Sequence, residues 1–193
     1  YDPYQVWVSE IMGQQTQMSR VTAYFLPWVE RFPDVAAVAA ASEQQLNKAW
    51  EGLGYYSRVR NLQRAAQVIM ENHGGTIPAT MTELMALPGI GAYTAAAILS
   101  IGFNLPYPLI DANVERLFAR LADIDLPLKQ GQGRRLLLAM AEALLDRGQP
   151  RDYNQALMEF GALVCTPKNP DCPCCPLRSG CQAHGAGTVA LRP

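Results

Sequence analysis

Residues 165–181 read CTPKNPDCPCCPLRSGC, and four of their five cysteines, Cys165, Cys172, Cys175 and Cys181, follow the pattern Cys-x6-Cys-x2-Cys-x5-Cys. Short loops of this kind bring four thiolates together, a ligand set that suits a zinc ion or an iron–sulfur cluster. Spacing alone does not choose between the two. A disulfide framework is the competing reading of any cysteine-rich segment. It fits poorly here, because the first 160 residues hold no cysteine, unlike a bridge-stapled secreted chain. Cys174 lies between the ligand candidates and reads as a bystander.

Outward from this loop the chain reads as helices joined by short turns, with no sustained period-two run of β-branched residues. The pattern predicts an all-α protein. Pro3 opens a first helix over about 4–15, in which Gly13 costs about 1 kcal/mol against alanine. A second covers about 19–31, with a kink expected at Pro27. Ser42-Glu43-Gln44-Gln45 has the form of a capping box before a helix containing Leu46 and Trp50. A helix over 56–72 stops at Gly74-Gly75, and helices over 81–86 and 92–102 flank Pro88-Gly89. Later ones cover about 112–121, 131–147 and 152–164.

Bulk properties exclude several classes. Apolar residues are 49% and charged ones 17%, which describes a globular, well-buried chain rather than a disordered one. The longest apolar stretches fall short of a membrane span, and no secretory signal is visible. A start at Tyr1-Asp2-Pro3 without methionine reads as a fragment or as a disordered start. Net charge is −1, so any nucleic-acid surface must be a local basic face. Arg116, Arg120, Lys129, Arg134 and Arg135 are concentrated in one stretch, which alone reads as a solvated helix face.

Three further segments carry candidate chemistry. Leu87-Pro88-Gly89-Ile90-Gly91 places two glycines around a tight turn before a helix. Such a turn lets backbone N–H groups converge on a phosphate at the positive end of the helix dipole. Glu10 has apolar neighbours in Val6 and Trp7, a setting that disfavours the charged carboxylate and suits a proton donor. Asp111 begins a helix, where it can cap the N-terminus and where the helix dipole favours the anion. Taken singly, each has a plain structural reading: a turn, a surface glutamate, a cap.

Together these motifs resemble, in order and over residues 2–182, the endonuclease III and MutY family of DNA glycosylases. The cysteine spacing is similar to that family's [4Fe–4S] loop, Leu87–Ala95 to its helix-hairpin-helix, and Ile110–Val114 to the segment bearing its catalytic aspartate. Ser9–Gln17 and Gly52–Arg58 resemble the adenine-removing MutY branch more than endonuclease III. The resemblance implies two helical lobes flanking a DNA-binding cleft: a helical barrel over about 1–106, a cluster lobe over 107–185, and a linker or tail over 186–193. It implies Glu10 as the acid that protonates the purine, Asp111 as the carboxylate facing the oxocarbenium-like sugar, and Asn113 as the residue positioning water and sugar. Tyr93 stands where bifunctional relatives carry the Schiff-base lysine, so base removal without strand cleavage is expected.

Gln15 and Tyr55 match residues that wedge into DNA, Gln14 beside them is assigned to DNA binding, and Gln155 matches a base-contacting position. Gly89 and Gly91 would meet phosphate, and Cys165, Cys172, Cys175 and Cys181 would hold the [4Fe–4S] cluster. The implied partner is double-stranded DNA carrying a mismatch or an oxidised guanine, met by a monomer inside a cell, in the bacterial cytoplasm or nucleoid. Two departures from the family pattern stand out: Gly13 in place of leucine and Ala112 in place of glycine. The family's upstream helix and its C-terminal 8-oxoguanine domain have no counterpart in these residues. The competing readings are a thymine mismatch glycosylase of the same family, a non-catalytic DNA-binding module, and a zinc protein.

Overall fold

The computed structural model describes residues 1–193. It is all-helical, with no strand, and the chain divides into two compact units, Tyr1–Phe103 and Asn104–Pro193. No helix is long and apolar enough to cross a membrane.

The first unit holds α1 (Pro3–Gly13), α2 (Met18–Arg31), α3 (Val35–Ala40), α4 (Glu43–Ala49), α5 (Ser57–His73), α6 (Met81–Met85) and α7 (Ala92–Ala97). A π-helical turn, Ile98–Gly102, prolongs α7 and packs against α1. Side-chain caps set several of the starts. The Asp2 carboxylate accepts from the Tyr4 N–H at 2.9 Å, and Asp34 accepts from the Ala37 N–H at 2.8 Å. Ser42 and Gln45 form the expected reciprocal box at the start of α4. Each such cap contributes about 1 kcal/mol. Gly74, left-handed at φ 59°, ends α5. Trp7, Trp28 and Trp50 are fully buried, with the Trp28 and Trp50 rings edge to face at 5.4 Å. Large apolar side chains of this kind each contribute about 1.5–3 kcal/mol on burial.

Helix α2 runs through Pro27 to Arg31, the end expected from the sequence. Ala23 and Pro27 both lie on the exposed face, so the carbonyl that loses its partner is open to water. Helix α3 was not foreseen; six residues of alanine and valine are too short to show a period.

The second unit holds α8 (Ala112–Leu121), α9 (Gly131–Leu144), α10 (Pro150–Leu163) and α11 (Gln182–Ala186), with 3-10 turns at Arg178–Gly180 and Val189–Leu191. Its core gathers Val114, Leu117, Phe118, Ile124, Leu128 and Leu137. Helices α8 and α10 cross with almost no spacer. A Cβ built on Gly161 would lie 2.7 Å from the Asn113 Cβ and 2.8 Å from its carbonyl oxygen. Residues 186–193, expected as a linker or tail, are anchored instead. The Arg192 side chain is buried and pairs with Asp123 at 2.7 Å and Asp125 at 2.9 Å, and the Thr188 hydroxyl donates to Asp123. These bonds hold the Asp123 carboxyl below its usual range, the Thr188 hydroxyl contributing most.

Candidate active site and cysteine centre

In the second unit, Asp111 caps α8. Its Oδ1 accepts from the Val114 N–H at 2.8 Å, and its Oδ2 accepts from the Asn113 Nδ2 at 2.9 Å. One backbone and one side-chain donor therefore hold the carboxylate in a single orientation. Asn113 is itself fixed, because its Oδ1 accepts from Arg116 Nη2 at 2.9 Å. Arg116 goes on to donate through Nη2 to the Gly161 carbonyl at 2.6 Å and through Nε to the Cys165 carbonyl at 2.7 Å. A continuous run of hydrogen bonds thus joins the Asp111 carboxylate to the first cysteine of the loop.

Arg116 and Arg120 correct the sequence reading of a solvated basic face: they are 6% and 2% exposed. Burial lowers the Arg116 pKa from its usual range. Arg120 donates to the carbonyls of Thr166 at 2.7 Å and Pro167 at 3.2 Å, and its Nη1 lies 3.5 Å from the Cys165 Sγ. The Cys181 thiol in turn donates to the Arg120 carbonyl at 3.4 Å. Two arginines of one helix therefore order a loop that has little regular structure of its own. Charge-assisted bonds of this type contribute about 1.5–3 kcal/mol each, against the cost of burying the cations.

Cys165, Cys172, Cys175 and Cys181 all line one small cavity, together with Arg120, Leu117 and His184. All five cysteines are free thiols. Burial, followed by the charges of Cys165, Cys175 and Cys181, pushes the Cys172 thiol up. Cys174 is exposed and lies off the cavity wall. No three of the His, Cys, Asp and Glu side chains converge closely enough to hold a single metal ion. Four thiols on one cavity wall are a donor set that a thiophilic metal centre can take.

Asn154, passed over in the sequence between Tyr153 and Gln155, is 1% exposed. It accepts from the Leu109 N–H at 3.0 Å and donates to the Tyr107 carbonyl at 2.9 Å, fixing the segment that leads into Asp111. Asn154 is one of several polar residues in α10, so its burial had no signal in the sequence. Gln155 is half-buried, and its amide donates to the Arg151 carbonyl at 3.4 Å.

In the first unit, Glu10 is half-buried on α1 beside buried Val6, Trp7 and Ile11. Tyr93 sits in the first turn of α7 and is partly exposed. Gly89 has φ 79°, and a Cβ there would lie 2.7 Å from the Asn61 Cβ, so the hairpin turn requires glycine. Gly91 precedes α7 in extended conformation with open space around it. Gln15 and Tyr55 are both exposed and both left-handed, at φ 54° and 46°. Such a backbone costs about 1–3 kcal/mol for a non-glycine residue and tends to mark functional positions. Gln14, Gln15, Tyr55, Ser57 and Arg58 line one open hollow.

Helical units of this kind, with a glycine hairpin before α7, a doubly held aspartate and a four-cysteine loop, are the architecture of a class of DNA-repair proteins. The family model for the HhH-GPD superfamily base excision DNA repair protein matches residues 8–133. The chain belongs to this superfamily.

Its relatives agree. It is 43% identical over 194 residues to the adenine DNA glycosylase of Rattus norvegicus, covering 98% of this chain and 38% of that protein. It is 44% identical over 182 residues to the Homo sapiens adenine DNA glycosylase, covering 94% and 33%. The Buchnera aphidicola (strain Bp) adenine DNA glycosylase is 38% identical over 183 residues, covering 95% and 52%. The chain thus spans about a third to a half of these relatives. Among solved structures, a thermostable thymine-DNA glycosylase superposes with TM-score 0.88 and 26% identity, over 96% of this chain and 85% of that one. A non-covalent endonuclease III–DNA complex superposes with TM-score 0.82 at 22% identity, over 97% and 86%, a likeness of fold alone.

Proposed function

We propose that this chain is the catalytic part of a monofunctional adenine DNA glycosylase, which hydrolyses the N-glycosidic bond of adenine mispaired with 8-oxoguanine or guanine in double-stranded DNA. The observation that carries this reading is the Asp111 carboxylate held by Val114 and Asn113, in a chain about 40% identical to adenine DNA glycosylases along nearly its whole length. The reaction needs an acid and an anion. Glu10 gives a proton to a ring nitrogen of the flipped adenine as the glycosidic bond breaks, and the bonding pair leaves with the base. The sugar is left as an oxocarbenium-like cation, opposed by the Asp111 carboxylate. Water then adds to the anomeric carbon and loses its proton, giving an abasic site. Asn113 keeps the carboxylate turned toward that charge. The hairpin turn at Gly89 and Gly91 is assigned to phosphate, Gln155 to the base pocket, and Gln14, Gln15 and Tyr55 to the helix opened by flipping.

A second reading, removal of thymine from a G·T mismatch, is favoured by the superposition on a thymine-DNA glycosylase, but at 26% identity against about 40% for the adenine enzymes. The test is base release from duplexes carrying A or T opposite G and 8-oxoguanine. Adenine release is expected; release of thymine alone would overturn the proposal. Tyr93 cannot form an imine, so the product strand should stay intact until treated with alkali. Borohydride trapping of a stoichiometric lysine-linked DNA adduct would refute the monofunctional assignment.

Cys165, Cys172, Cys175 and Cys181 are assigned to one [4Fe–4S] cluster, whose contribution when bound is to fix the loop. The lining of one cavity by all four cysteines supports that assignment. Cys174→Ser should retain the full iron content per chain and the visible absorption near roughly 400 nm expected of such a cluster. Loss of iron on that change would reassign the ligands.

A further inference from the structure

Arg58 stands at the start of α5 and joins two loops far apart in sequence. The two N–H groups of Nη1 are shared among the carbonyls of Ile11 (3.0 Å), Met12 (2.8 Å) and Gln14 (2.7 Å) and the Thr16 hydroxyl (3.1 Å). Nη2 donates to the carbonyls of Leu53 (2.9 Å) and Gly54 (3.1 Å). The guanidinium is also stacked 5.3 Å from the Trp50 ring centre and 5.7 Å from that of Tyr55. The residue is 7% exposed. Every partner of this cation is a neutral oxygen or a ring face.

The bonds have a clear local logic. Helix α1 ends with carbonyls that have no partner inside the helix, and it has no basic residue in its last turn. Arg58 supplies that missing cation from another helix. The same fork closes the turn after Trp50, so both loops depend on one side chain. Between the bonded atoms of each loop, or next to them, lies one left-handed non-glycine residue: Gln15 between Gln14 and Thr16, and Tyr55 directly after Gly54. Tyr55 is 63% exposed, although a large aromatic gains by burial. A planar fork with several fixed donors can hold two loops in one mutual register; a lysine cannot.

We propose that Arg58 is the positioning residue for DNA opening: it sets the separation and orientation of the Gln15 and Tyr55 tips, so that both enter the duplex together when the target nucleotide is extruded. This rests on the assignment of those two tips to DNA. Arg58 touches neither the base nor the sugar. It acts through the two loops.

Three measurements on Arg58→Lys test this. The first compares single-turnover adenine release from an A·8-oxoguanine duplex with release from the same adenine in an unpaired loop, where no pair has to be opened. Misplacing a positioning element by about 1 Å can cost about 100-fold. The duplex rate is expected to fall by about 10–100-fold, and the ratio of duplex to loop rate by at least about 10-fold. An equal loss on both substrates would show a merely structural role and overturn the proposal, as would an undiminished duplex rate. The second follows 2-aminopurine fluorescence at the mismatched position, which reports extrusion without chemistry. If the parent extrudes the base but releases none, the glycosylase reading fails while the role of Arg58 is still judged by the fluorescence of the variant. The third is a coupling cycle in the Gln15→Ala/Tyr55→Ala background, where Arg58→Lys is expected to cost nothing further on the duplex; a fully additive loss would refute action through the tips. If Arg58→Lys does not fold, Thr16→Val removes one of the six bonds and is measured in the same way, with the same outcomes deciding.

Discussion

Glu10→Gln is expected to slow adenine release by about 100- to 10,000-fold, the range for loss of a positioned proton donor. The substitution keeps the shape of the side chain, and its amide cannot pass a proton to the purine as the glycosidic bond breaks. The fold should not change. Helix α1 is fixed at its start by the Asp2 cap and the packing of Pro3 against Gly102, and at its end by Arg58. Its inner face is buried through Val6, Trp7, Val8 and Ile11. Glu10 has no assigned contact with phosphate, so affinity for mismatched duplex should stay close to that of the parent. Single-turnover base release, read beside fluorescence anisotropy with labelled duplex, separates the two effects. Release at the parent rate would remove Glu10 from the mechanism. Loss of affinity in step with rate would make it a binding residue instead.

Asp111→Asn is the second large effect, and its geometry predicts a mixed outcome. The carboxylate accepts from two donors, Val114 N–H and Asn113 Nδ2. An asparagine has one oxygen to offer, so it can cap α8 or receive the Asn113 amide, but not both. Asparagine and aspartate are comparable N-caps, so the helix start survives. The other bond is replaced by two facing amide donors, a loss of about 1 kcal/mol. For a chain of this size that corresponds to roughly 2–4 °C in Tm. The catalytic loss should be far larger. Removing the one negative charge opposite the sugar cation should cost about 100- to 1,000-fold or more in rate. A folded protein that binds DNA and releases no base is the expected result in thermal melts and base-release assays. Global unfolding would mean that capping is the whole role of Asp111.

The parts of this molecule that were legible in the sequence are those whose cause is local. The Pro3 start, the Ser42 box and the Gly74 stop are written within a few residues of where they act. Asp111 at the head of α8 and the four cysteines around one cavity were legible for the same reason. What escaped has its cause elsewhere in the chain. Arg58 lies 46 residues from Met12, and Arg116 lies 49 from Cys165. Nothing near either arginine separates a buried fork from a solvated one, and so Arg116 and Arg120 read as surface charge. The anchored end of the chain escaped because Arg192 finds its acids at Asp123, 69 residues earlier, and at nearby Asp125. Pro27 was legible as a residue inside α2, but the exposure of its face, which decides the cost, is a tertiary property.

The crossing of α8 and α10 at Gly161 also bears on which inherited changes the molecule can absorb. Every other amino acid brings a Cβ, and at this position that atom would press on the backbone and Cβ of Asn113, the residue that orients Asp111. No replacement here is conservative, alanine included, and the injury would pass straight to the Asp111 carboxylate. Gly13 is the opposite case. Open space surrounds it, its backbone suits any residue, and alanine there would be tolerated or mildly favoured within α1. Two glycines of equal standing in the sequence thus differ in what they allow: variation can accumulate at residue 13, whereas residue 161 is open only to selection against change.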